Sequence, residues 1–157
     1  VNYELTAAHS YLALAAYFDD ASLKGFASFM RNQFNEEIAH AMKLFDYVHD
    51  RGGKVRMQDI SAPGTDYDTP ESAIRAALEM ERKNTQAIHK LYKLALDADD
   101  YPTQSLLKWF IDEQVEEEKW ANEILSLLEM VGDQLSGLLL LDGRVGSQHG
   151  VGAADAG

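Results

Sequence analysis

Asn35-Glu36-Glu37-Ile38-Ala39-His40 decides how this chain is read. Around it, Phe26, Met30, Gln33 or Phe34, Glu37, His40, Leu44 and Tyr47 or Val48 recur every three to four residues. That spacing is one face of a helix over roughly Leu23 to Arg51, and the face is otherwise apolar. Glu37 and His40, three residues apart, share it. Carboxylates are almost never fully buried without a partner, because desolvation costs several kcal/mol. A lone Glu-x-x-His recurs often by chance, so its weight depends on the rest of the chain.

Working outward, the same conflict repeats in every long helix the pattern predicts. Towards the N-terminus, Glu4, Ala7 or Ala8, Tyr11, Leu14 or Ala15 and Phe18 form the stripe of a first helix, about Val1 to Asp20. The turn Asp19-Asp20-Ala21-Ser22 is short, which implies antiparallel neighbours. Beyond the second helix, Gly52-Gly53 is a stop. Residues 54–68 then lack helical period and hold the turn formers Ser61-Ala62-Pro63-Gly64. A segment of that length must travel outside the bundle, so the next helix runs parallel to its predecessor. Thr69-Pro70-Glu71 supplies an N-cap, a first-turn proline and an acid for a third helix. Its stripe is Ile74, Ala77 or Leu78, Glu81, Thr85, Ile88, Tyr92 and Ala95. A fourth helix opens at Pro102, with stripe Leu106, Phe110, Glu113 or Gln114, Glu117, Trp120 or Ala121, Ile124 and Leu128.

Glu4, Glu37, Glu81 and Glu117 thus each interrupt the apolar stripe of a different helix. Converging on one core, they would repel one another, and a multivalent cation resolves that repulsion. The expected fold is all-α: an antiparallel four-helix bundle with one long crossover. A short apolar fifth helix, Leu135 to Leu141, follows the break at Gly132. Residues 1–142 form the expected domain, and 143–157 read as a flexible Gly/Ala-rich tail.

Composition narrows the chemistry. The chain has 157 residues, 46% of them hydrophobic, which suits one globular domain. Its formal net charge of -12 would repel a polyanion, so nucleic acid is not an expected partner. With no cysteine, any metal must be held by oxygen and imidazole, a set suited to iron, manganese or zinc. No apolar stretch reaches the length of a membrane span, so no membrane partner is expected. The chain opens at Val1 already in helical register, which suggests a truncated start. A removed targeting segment therefore stays open, with the cytoplasm as the default location.

Several motifs together resemble the prokaryotic non-haem ferritins, members of the ferritin-like di-iron carboxylate family. They are Asn2-Tyr3-Glu4-Leu5, Asn35 to His40, Leu44-Phe45-Asp46-Tyr47, Asp100-Tyr101-Pro102-Thr103 and the run from Trp109 to Lys119. The resemblance covers about residues 1–142. It implies a ferroxidase centre with two irons per subunit: Glu4, Glu37 and His40 on the first, Glu37 bridging, and Glu81 and Glu117 on the second, with Gln114 hydrogen-bonding nearby. Tyr11 matches a tyrosine kept beside that centre, as an electron donor or as core packing. Glu36, Glu113 and Glu116 match a third iron position, or else form a solvated acidic face. The resemblance further implies a hollow cage of 24 identical subunits, with the fifth helix around its four-fold axes.

Two positions separate this chain from relatives. Trp120 stands three after Glu117, where bacterioferritins and several di-iron oxygenases carry a second histidine. That absence suits iron in transit better than a permanent cofactor. Ile38 follows the bridging glutamate where bacterioferritins place a haem-ligating methionine, so no haem is expected. His9, His49, His89 and His149 lack a glutamate at ligand spacing and read as surface residues. Trp109 and Trp120 read as packing residues. The expected activity is oxidation of Fe(II) by dioxygen for iron storage and detoxification, the product being kept as ferric mineral. The rivals are a permanent di-iron peroxidase or oxygenase of the rubrerythrin type and a non-catalytic metal-binding scaffold. A tail with Arg144 as its only arginine and no lysine gives no handle for DNA.

Overall fold

The computed structural model describes residues 1–148 of the chain. Five helices follow one another: α1 (Asn2–Asp20), α2 (Lys24–Asp50), α3 (Pro70–Asp97), α4 (Tyr101–Val131) and α5 (Leu135–Gln148). No strand occurs among the described residues. None of the helices described is long and apolar enough to cross a membrane.

Local chemistry sets the helix ends. Thr69 accepts a hydrogen bond from the Ser72 amide at 3.1 Å while the Ser72 hydroxyl receives one from the Thr69 amide, also at 3.1 Å. This reciprocal cap, with Pro70 in the first turn, starts α3 after the unstructured crossover. Asp100 caps α4 by accepting from the Thr103 amide at 3.3 Å and the Thr103 hydroxyl at 2.7 Å. Gly52 ends α2 with φ 71°, a conformation that costs glycine little.

Helices α1 and α2 form one hairpin and α3 and α4 another, each closed by a short turn. The crossover between them follows α1 along the bundle. Near its start, Asn2 donates to the Arg56 carbonyl at 3.1 Å and accepts from the Gln58 amide at 3.0 Å. Near its end, Tyr67 meets Tyr17 edge-on, with ring centroids 5.2 Å apart. A chain that climbs the length of α1 returns α3 parallel to α2, as expected. One end of the bundle is filled by Phe18, Phe26, Phe29, Met30, Ile74 and their neighbours, all buried. Towards the middle the buried residues turn polar.

Two expectations need correction. The fifth helix does not stop at Leu141; it runs to Gln148, so the boundary placed at Gly143 falls inside it. Leu141 and Val145 are buried against the bundle, which stabilises two further turns. Gly146 lies against Gly25 so closely that a Cβ on it would sit 2.8 Å from the Gly25 Cα. Here glycine permits helix packing instead of ending the helix. Asp142 meanwhile accepts from the Phe26 amide at 2.8 Å, capping the open start of α2 from outside the hairpin. Residues 149–157, with His149 and the rest of the expected tail, lie outside the described residues. In α4 the buried position is Leu107, with Leu106 only half-buried.

Candidate metal centre

The four glutamates converge. Glu4, Glu37, Glu81 and Glu117 are all buried, at 2%, 0%, 0% and 5% exposure, in the middle of the bundle. One ligand atom from each of Glu4, Glu37 and His40 lies within 4.8 Å of the others. The same holds for Glu37, Glu81 and Glu117. Glu37 belongs to both groups, so the structure brings the five side chains into two adjoining clusters that share one carboxylate. The first cluster comes from α1 and α2 alone, and the second joins α2 to α3 and α4.

The hydrogen bonds around the carboxylates are uneven. Glu81 accepts from the Tyr11 hydroxyl on Oε1 and from Gln114 Nε2 on Oε2 at 3.1 Å. Glu4 accepts from Asn84 Nδ2 at 2.8 Å. Glu117 accepts from Gln33 Nε2 at 2.8 Å and Trp120 Nε1 at 2.6 Å. Neither oxygen of Glu37 meets a donor from outside the carboxylate cluster, and Nδ1 of His40 has no hydrogen-bond partner, although all three atoms are buried. Unsatisfied buried acceptors cost about 1–3 kcal/mol each, and they lie where a cation would supply the missing partner.

Electrostatics points the same way. Burial, then the charge of Glu81, pushes the Glu37 carboxyl up to about 12. Burial raises Glu81 to about 7, against the lowering effect of its bonds to Tyr11 and Gln114. Burial and then the Glu81 charge raise Glu117 to about 8. Without a cation the cluster must therefore hold protons. Burial keeps the His40 imidazole below its usual range, which leaves it neutral and able to offer a lone pair. Tyr11 is raised well above the ordinary phenol value by burial and then by Glu81, so it stays a neutral donor. Oxygen-rich ligands with one imidazole suit iron, manganese or zinc.

Glu36, Glu113 and Glu116 lie outside both clusters. Glu36 and Glu116 are exposed, Glu113 is half-buried, and Glu116 pairs with Lys119 at 3.3 Å. Glu36 is raised by partial desolvation and then by the charge of Glu113, so these two carboxylates feel each other. His9, His49 and His89 are exposed, as expected. The tryptophans do more than fill space: Trp120 donates to Glu117, and Trp109 packs edge-on against His40 with centroids 5.3 Å apart. Asn84 was not singled out from the sequence. Its signal was an uncharged amide three residues after Glu81, on the buried face.

A family profile described as a ferritin-like domain matches residues 1–131. The fold and the four convergent glutamates are those of a carboxylate helical bundle, and the chain belongs to the ferritin family, whose general business is iron storage. Among its relatives is a bacterial non-heme ferritin of Staphylococcus aureus, 36% identical over 148 residues, 94% of this chain and 89% of that protein. Another, from Staphylococcus haemolyticus, is 39% identical over 142 residues, 90% of this chain and 86% of that one. Among solved structures, an open pore ferritin from the hyperthermophilic archaeon Archaeoglobus fulgidus superposes with a TM-score of 0.91 at 40% identity. The match covers 93% of this chain and 90% of that chain.

Proposed function

We propose that the protein is a ferroxidase: it takes up Fe(II) at the buried centre, passes the electrons to dioxygen and stores the ferric product as an oxyhydroxide mineral in a cage of 24 identical subunits. One observation carries this reading: Glu37, fully buried with both oxygens free of donors from outside the carboxylate cluster, is shared by two three-residue ligand clusters. Such a carboxylate suits a bridge between two cations better than any partner the protein itself offers.

In this reading Glu4, Glu37 and His40 hold one Fe(II), and Glu37, Glu81 and Glu117 hold the other. Each iron gives up one electron, and the two electrons with two protons reduce one dioxygen to hydrogen peroxide. Tyr11, hydrogen-bonded to Glu81, stands where it can supply a further electron; Gln114 fixes the second oxygen of Glu81. The surface acids Glu36, Glu113 and Glu116 form a third iron position on the way out. Trp120 in place of a second histidine leaves the second cluster a pure carboxylate site, suited to iron that passes through. The cage draws support from the ferritin relatives and from the apolar residues left exposed at the end of the bundle, Met130, Leu135, Leu139 and Leu140.

Aerobic Fe(II) oxidation, followed optically for the native protein and a Glu37→Ala variant, tests the reading. Fast oxidation that collapses in the variant is expected. Equal slow rates in both would leave a metal-binding scaffold as the better description. Light scattering that returns a monomer or dimer would remove the storage half.

A further inference from the structure

Among the four buried glutamates, Glu117 has a distinctive pair of contacts: two donors converge on one of its oxygens. Gln33 Nε2 reaches Oε2 from α2 at 2.8 Å, and Trp120 Nε1 reaches the same atom from the next turn of α4 at 2.6 Å. The indole is itself held in place. It meets Phe29 edge-on at 4.7 Å and lies tilted against Tyr11 at 6.3 Å, centroid to centroid. A carboxylate oxygen carries two in-plane lone pairs, so two N–H donors fill Oε2 and leave Oε1 as the oxygen that can face a cation. Glu37 is the opposite case, with neither oxygen met by a donor from outside the carboxylate cluster.

We propose that Gln33 and Trp120 are positioning residues: together they hold Glu117 as a one-oxygen ligand and so set the divalent-cation affinity of the Glu37–Glu81–Glu117 cluster. This rests on reading the buried carboxylates as a two-metal centre. The donors hold Glu117 in one orientation before a cation arrives. They also prevent chelation by both oxygens, which keeps the ligand count low. Among the described residues, the donor bonded to the other cluster's Glu4 is Asn84, and His40 packs against Trp109. The two clusters are therefore tuned by different residues.

The test is a Zn(II) titration of the metal-free full chain by calorimetry against a competing chelator. Native protein, Trp120→Phe, Gln33→Leu and the double variant are compared. Phenylalanine keeps the ring contacts and removes only the N–H donor. Native protein is expected to bind at least two Zn(II) per subunit, one at each buried cluster, with any Zn(II) on the exposed acids as a weaker, separate phase. In each single variant one of the two cluster sites should weaken roughly ten- to a hundredfold while the other keeps its native affinity. The double variant should lose less than the product of the single losses, because both donors act on one atom. In the Gln33→Leu variant carrying Trp109→Phe, the emission of Trp120, then the sole tryptophan, should change as the weakened site fills. Native affinity at both sites in Trp120→Phe and Gln33→Leu would overturn the proposal. Equal weakening of both sites, together with a lowered melting temperature, would overturn it too, since that marks a structural role. If Trp120→Phe does not fold, by circular dichroism, Gln33→Leu decides alone. Native protein that binds no Zn(II) would overturn the two-metal reading and this proposal with it.

Discussion

Replacing Glu37 by leucine should make the metal-free protein more stable while removing its ability to bind metal. In the unfolded chain this carboxyl titrates near the ordinary value of 4.5, whereas in the fold burial and then Glu81 push it up to about 12. The native state therefore takes up a proton that the unfolded state has released. With a raised folded pKa, the group's contribution is intact below 4.5 and is lost progressively as pH rises. At 1.36 kcal/mol per pH unit, the loss reaches about 3 kcal/mol by pH 7. Leucine has a similar volume and nothing to protonate. The advantage of the variant over the native protein should be about 3 kcal/mol larger at pH 7 than at pH 4.5, where only the removal of the unsatisfied carboxyl favours it. For a domain of this size that is about 6–12 °C in melting temperature. Chelator-treated samples would be melted at matched concentration across this pH range, with light scattering to check that assembly is unchanged. Zn(II) at a thousand times Kd should reverse the order, because the native protein then gains about 4.1 kcal/mol of binding free energy that the variant does not. A metal-free variant that melts below the native protein at pH 7, or a gain independent of pH, would refute the reasoning.

Loading the metal-free protein with Zn(II) in weak buffer at pH 7 should release about two protons per subunit, since Glu37 and Glu117, and Glu81 in part, hold theirs until a cation arrives; no proton release would show that the carboxylates are already ionised. Gly25→Ala should undock α5, because its Cβ would sit 1.8 Å from the Asp142 carbonyl oxygen. The cost should be about 1–3 kcal/mol, read as a lower melting temperature and faster proteolysis within α5, while Zn(II) stoichiometry stays native.

Most of the bundle was legible in the sequence because periodicity reports burial directly. Glu4, Glu37, His40, Glu81 and Glu117 stood out since each is a polar residue in an apolar stripe. Thr69-Pro70 could be read as a helix start from capping chemistry alone, whereas the fourth helix was read from Pro102 and its Asp100 cap emerged only in the structure. The end of α5 was not legible: Gly143 and Gly146 read as breakers, yet Gly146 is where two helices approach too closely for any side chain. The donors that hold the carboxylates were also hidden or misread. Asn84 and Gln33 carry no charge to conflict with their surroundings, and Trp120 reads as bulk until its N–H is seen to meet Glu117. Periodicity shows which residues are inside, but not which atoms face one another.

The sharing of Glu37 has a mechanical consequence. A cation held by Glu4, Glu37 and His40 stays within the hairpin of α1 and α2. One held by Glu37, Glu81 and Glu117 fastens that hairpin to the hairpin of α3 and α4. Tyr11–Glu81, Asn84–Glu4 and Gln33–Glu117 span the same seam. On the proposed reading the second cluster is a clasp: a cation entering it would lock the two halves of the subunit together, and one leaving would loosen them.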